Sequence, residues 1–84
     1  MSRVTRERGE QKREEIRKII WRLINECVSS KLSPEETGRT VNKHIQVMMH
    51  AKPQENCLVV SVAIEIKQDV DAFCKRMYEK YGAP

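Results

Sequence analysis

Aromatic residues are scarce in this chain: Trp21, Phe73, Tyr78 and Tyr81 are the full set among 84 residues. None falls among residues 1–13, the basic arm, which argues against stacking single-stranded bases there. Cysteine is sparse and odd in number, with Cys27, Cys57 and Cys74 and no CxxC pair. That excludes the closed disulfide framework of a small secreted scaffold. It fits a reducing compartment, the cytoplasm or, in a eukaryote, the nucleus. No run approaches the roughly 20 apolar residues of a membrane-spanning helix, and the basic start lacks the apolar segment of a secretory signal. P-loop, G-x-G-x-x-G and H-E-x-x-H motifs are all missing. With 39% hydrophobic and 33% charged residues, the sequence describes one small globular domain with a modest core.

The net charge of +4 is localised. Residues 1–22 hold eight basic side chains (Arg3, Arg6, Arg8, Lys12, Arg13, Arg17, Lys18, Arg22) against Glu7, Glu10, Glu14 and Glu15. The remaining residues are balanced, with eight groups of each sign. A basic arm on a neutral body points toward an acidic partner or nucleic acid. The glutamates temper that reading. Arg3–Glu7, Arg6–Glu10 and Glu14–Lys18 are spaced i,i+4, and Glu10–Arg13 and Glu14–Arg17 i,i+3, as on an exposed helix whose charges neutralise one another.

Residues 1–10 contain one strong apolar residue, Val4, and Gly9 interrupts them. They are expected to form a flexible basic arm ahead of a single helical domain, residues 11–84. Ile16, Ile20, Leu23 and Cys27 recur at spacings of 4, 3 and 4, which predicts a first helix over about 11–30. Ile19, Ile24, Trp21 and Val28 widen its apolar side. The second helix, about 33–50, has a sharp start signal. Ser33 is placed to cap it, Pro34 suits the first helical position, and Glu36 completes an S-x-x-E box. Val41, Ile45, Met48 and Met49 form its apolar side, and Gly38 weakens it unless close packing needs a missing side chain.

Residues 57–66 admit two readings. Alternation of Leu58, Val60, Val62, Ile64 and Ile66 with Cys57, Val59, Ser61, Ala63 and Glu65 fits a strand, giving an α+β alternative. Val59, Ala63, Ile66, Val70, Phe73 and Met77 recur at 4, 3, 4, 3 and 4, which fits one helix over about 54–81. The helix is preferred, because its register crosses the region without Gly or Pro and a lone strand would leave backbone groups unpaired. The expected fold is all-α: a small three-helix bundle or helical hairpin, with dimerisation open. Apolar residues off the main stripes exceed what three short helices readily bury, and such an excess marks an interface.

Few residues carry a chemical signal. His44 and His50 lie six apart, on different helix faces, and adding Cys57 gives no recognised zinc spacing. Cys57 with either histidine lacks any third orienting group. Glu35 and Glu36 suit a helix start; Asp69 and Asp71 read as a solvated face. No catalysis, cofactor or metal is expected. Residues 32–42 (Leu-Ser-Pro-Glu-Glu-Thr-Gly-Arg-Thr-Val-Asn) resemble the first helix of some helix-turn-helix regulators, over 11 of 84 residues. The pattern departs after Asn42, where no second cap follows and the would-be recognition helix is largely apolar.

The sequence therefore predicts a small non-enzymatic helical protein that binds another protein, as an adaptor, regulator or stoichiometric inhibitor, with self-association as a homodimer included. Its interface would join Trp21, Val28, Val60 and Ile64 to a basic rim of Arg17 and Arg22. The alternative is a nucleic-acid-binding regulator that contacts phosphates through Arg3, Arg6, Arg8, Lys12 and Arg13. No membrane partner is expected.

Overall fold

A computed structural model describes residues 3–82, with side chains from residue 8 onward. Four helices follow one another: α1 (Arg3–Ser29), α2 (Pro34–Ala51), α3 (Asn56–Gln68) and α4 (Val70–Tyr81), with a 3-10 turn at Pro53–Glu55 before α3. The fold is all-α, and residues 57–66 are helical, so the strand alternative is not adopted. Helix α1 begins at Arg3 rather than near residue 11.

Each boundary has a local cause. α1 ends in a Schellman motif: the Leu32 N–H donates to the Cys27 carbonyl and the Lys31 N–H to the Val28 carbonyl, both at 3.0 Å. These bonds satisfy carbonyls the last turn would leave unpaired. The motif needs one left-handed residue, and Lys31 supplies it with φ 60° although glycine usually takes this place. α2 starts as expected. Ser33 Oγ accepts from the Glu36 N–H at 3.2 Å, Glu36 Oε2 accepts from the Ser33 N–H at 3.4 Å, and Pro34 opens the helix. After α2, Pro53 enforces the 3-10 turn that reverses the chain.

The expected helix over 54–81 is in fact two. Asp69 sits in extended backbone (φ −158°, ψ 91°) between α3 and α4, and its Oδ1 accepts from the Ala72 N–H at 3.0 Å. It is the N-cap of α4, with Asp71 in the first turn. The break changes which residues are buried. Val70, which a continuous helix would bury, emerges half exposed at 51%, while Val59, Val62 and Ile66 form the inner face of α3 with Ala63 partly buried beside them.

The core comprises Ile16 and Ile20 of α1, Val41 of α2, Val59, Val62 and Ile66 of α3, and Phe73 and Met77 of α4. Leu23, Ile24, Ile45, Met48, Met49 and Leu58 pack around it. α3 is central: it packs on α1, α2 and α4, and α1 also packs on α2 and α4. α2 and α4 flank this pair, with no Cα of one within 8 Å of a Cα of the other. That separation sets the position of an open surface groove.

Candidate protein-docking surfaces

Where α2 and α4 part, a groove of about 670 Å³ opens at the end of the bundle. Ile24 and Ile66 floor it, with Val28, Leu32, Val41 and Val70 around them. Three of these are open to solvent although aliphatic: Val28 is 63% exposed, Val70 51% and Leu32 38%. Lys67 and Asp71 reach it with opposite charges. The groove has a plain origin. The Schellman turn places Leu32 beyond the end of α1, and the Asp69 break turns Val70 outward at the start of α4.

A second apolar surface lies on the outer side of α3. Val60 and Ile64 share a shallow hollow with Asn56, Cys57 and Ser61. Asn56 Oδ1 is buried there with no hydrogen-bond partner.

Trp21 occupies a third place. Half buried, it packs against the core, and its indole N–H donates to the Gly82 carbonyl at 3.0 Å. Gly82 has φ 70° and ψ −176°, a backbone region essentially restricted to glycine, and this conformation aims its carbonyl at the indole. One turn earlier the Lys18 ammonium lies 5.0 Å from the Tyr81 ring centre, a cation–π contact. One further turn back, Lys80 hydrogen-bonds Glu14. Together these three contacts clasp α4 to α1. Arg22 lines the same hollow as Trp21 and is exposed.

Arg17 is not a free rim cation. Its guanidinium bridges Glu65 through two hydrogen bonds, at 2.8 and 3.2 Å, and reaches Glu10 at 2.8 Å, with the side chain only 12% exposed. It ties α1 to α3, and the hydrogen bonds it donates to Glu65 raise its pKa further. Of the four protein-binding apolar residues read from the sequence, Val60 and Ile64 are brought together. Val28 belongs to the α2–α4 groove and Trp21 to the α1–α4 clasp.

Among the phosphate-binding candidates, Arg8 is exposed, whereas Lys12 pairs with Glu55 and Arg13 with Glu10. The side chains of Arg3 and Arg6 lie outside the described residues. The hydrogen bond from Lys12 holds the Glu55 carboxyl below its ordinary pKa, as those from Arg17 and Lys80 do for Glu10 and Glu14. Burial pushes the Cys74 thiol up, and the Asp71 charge adds to this. Among the described residues no three His, Cys, Asp or Glu side chains gather as metal ligands, and no helix is long and apolar enough to cross a membrane.

Leu32 and Val70 are groove residues that sequence reasoning missed. The signal for Val70 was Asp69, a capping residue with a second aspartate two positions later. No family model, curated protein or solved structure matches this chain.

Proposed function

We propose that this protein acts by binding another protein, seating the apolar face of a partner helix in the groove between α2 and α4. Its role is then that of an adaptor, regulator or stoichiometric inhibitor rather than a catalyst. The observation that carries this reading is the exposure of Val28, Leu32 and Val70 around one open groove floored by core residues. Exposed apolar surface of this kind is disfavoured on a monomer unless something covers it. A groove between helices is a recurrent receiver for an amphipathic helix, which inserts side chains spaced three or four apart. Phosphate binding by the N-terminal cations has less support, since Lys12 and Arg13 are already paired with carboxylates.

The experiment is an affinity capture from the native cell with the wild-type chain and with Val28→Asp, each with and without nuclease. Val28 is 63% exposed, so the charge should leave helix content unchanged by circular dichroism. A protein held by the wild type, resistant to nuclease and weakened at least about tenfold by the substitution is the expected result. Capture that ignores Val28→Asp, or that vanishes with nuclease, overturns the reading.

A further inference from the structure

We propose that the outward face of α2 binds the phosphate backbone of double-stranded nucleic acid. The chain after Arg22 is balanced only in sum: residues 37–54 carry Arg39, Lys43 and Lys52, with His44 and His50, and not one carboxylate. The fold orders these groups. Val41, Ile45 and Met48 pack into or against the core. On the opposite side of the helix Arg39, Lys43, Gln46 and His50 recur at spacings of 4, 3 and 4, all of them exposed. They form one row about 16 Å long at the rise of an α-helix. Val47 excepted, the aliphatic and methionine side chains that make residues 43–50 look unsuited to nucleic acid are the ones packed against the core.

The cations of this row are free, whereas Lys12, Arg17 and Lys80 are held by carboxylates. Among the described residues Lys43 has no carboxylate oxygen within 4.0 Å, and Arg39 has only Glu35 at that limit, with both side chains largely exposed. Beyond the other end of the row, Lys52 shares a hollow with Lys12, and Arg8 stands exposed one turn before Lys12 on α1. The positive surface of α2 thus runs on toward the basic start of α1. Duplex nucleic acid matches such a surface, because it sets one negative charge per about 1.7 Å of its axis over any length. Gln46, with Asn42 beside it, adds amides, which contact phosphate oxygens as Arg and Lys do. A membrane surface is disfavoured, since a helix lying on lipid buries its apolar side there, and that side of α2 is already in the core. The contact uses none of Val28, Leu32 and Val70 and stands independently of the α2–α4 groove.

Fluorescence anisotropy of a labelled DNA duplex, titrated with the full chain at several salt concentrations, tests this. Phosphate contacts from Arg39, Lys43, Lys52 and Arg8 should give a slope of about −3 to −4 for log affinity against log salt. Arg39→Gln with Lys43→Gln should take about 2 from the magnitude of that slope and weaken binding at least about tenfold at low salt, with helix content intact by circular dichroism. Lys75→Gln with Arg76→Gln removes the same charge from α4, away from α2, and should leave the slope unchanged. No binding to the duplex at low salt, a slope indifferent to Arg39 and Lys43, or equal losses from the two double variants would each overturn the proposal. So would displacement of the DNA by polyglutamate at equal charge concentration, which would assign the face to an acidic protein instead.

Discussion

Helix α4 meets the rest of the molecule in two contrasting ways. Its C-terminal half is clasped to α1 by Glu14–Lys80, by Lys18 over Tyr81 and by Trp21 to Gly82, above the buried Met77. Its N-terminal end faces α2 across an open groove, with Val70 exposed and no Cα of α2 within 8 Å of α4. The polar contacts on the first side are directional and fix how α4 lies. On the second side, apolar groups stand near one another without closing. The difference shows that the bundle is closed by α1 and α3, while α2 and α4 stand apart across the groove.

The sharpest way to break this contrast is to remove the clasp. Trp21→Ala should destabilise the fold by roughly 2–3 kcal/mol, somewhat under the range for fully buried aromatics because Trp21 is half buried. Val28→Ala, on the open side, should cost less than about 0.5 kcal/mol. Urea unfolding followed by circular dichroism compares the two. Equal losses would mean that Trp21 is surface in practice and that the clasp does not hold α4.

Next in size is the break that creates the open side. Asp69→Ala removes the acceptor for the Ala72 N–H and should cost about 1 kcal/mol. Asp69→Asn keeps an acceptor and should recover most of it. If both variants match the wild type in unfolding midpoint, side-chain capping is not what starts α4.

The ends of the helices also show what was legible before the structure. The start of α2 could be read because its chemistry is local: Ser33, Pro34 and Glu36 satisfy the first-turn N–H groups among themselves. Asp69 uses the same chemistry, but it lies inside an apolar register, Val59 through Met77, that continues through the break without Gly or Pro. Periodicity therefore concealed the cap. The end of α1, expected near residue 30, falls at Ser29, although Lys31 takes there a left-handed conformation that sequence usually marks with glycine. Exposure of Val28, Val60 and Ile64 was foreseeable, because they fall off the stripes. Their division between separate faces was not, because it depends on how the helices are arranged in space. Arg17 and Trp21 look like surface anchors in one dimension, but Glu65 and Gly82, distant in sequence, turn them inward.

A smaller effect sharpens the picture of the groove. A methyl group added at Gly38, which lines it, would meet no atom within 4 Å, and no close packing there needs a missing side chain. Gly38→Ala should therefore stabilise α2 by up to about 1 kcal/mol through helix propensity alone. A higher thermal midpoint with unchanged partner capture is the expected pair of results. Stabilisation accompanied by lost capture would instead place the partner against the backbone at Gly38.

The smallest expected effect is electrostatic and belongs in part, through Glu14 and Lys80, to the clasped side. The hydrogen bonds from Arg17, Lys80 and Lys12 hold Glu10, Glu14 and Glu55 below their ordinary value of 4.5 in the folded chain. Unfolding lets each return toward that value, so the unfolded chain binds more protons as the solution is acidified. Their contribution is complete above the unfolded value and is lost as pH falls through the lowered folded one. Lys80 works in the opposite sense. Its hydrogen bond to Glu14 raises its pKa above 10.5, so its contribution is complete below that value and is lost above the raised one. Stability from these pairs should thus be level across neutral pH and decline below about 4.5. One member of each pair, Glu10, Lys12 or Lys80, is open to solvent, which keeps the slope shallow and sensitive to salt. Glu14→Gln should flatten part of the acid limb in unfolding midpoints measured from neutral pH to about 3. An acid limb unchanged by that substitution would show that Lys80 does not hold Glu14 in solution, leaving Trp21 and Lys18 as the contacts that close α4 onto α1.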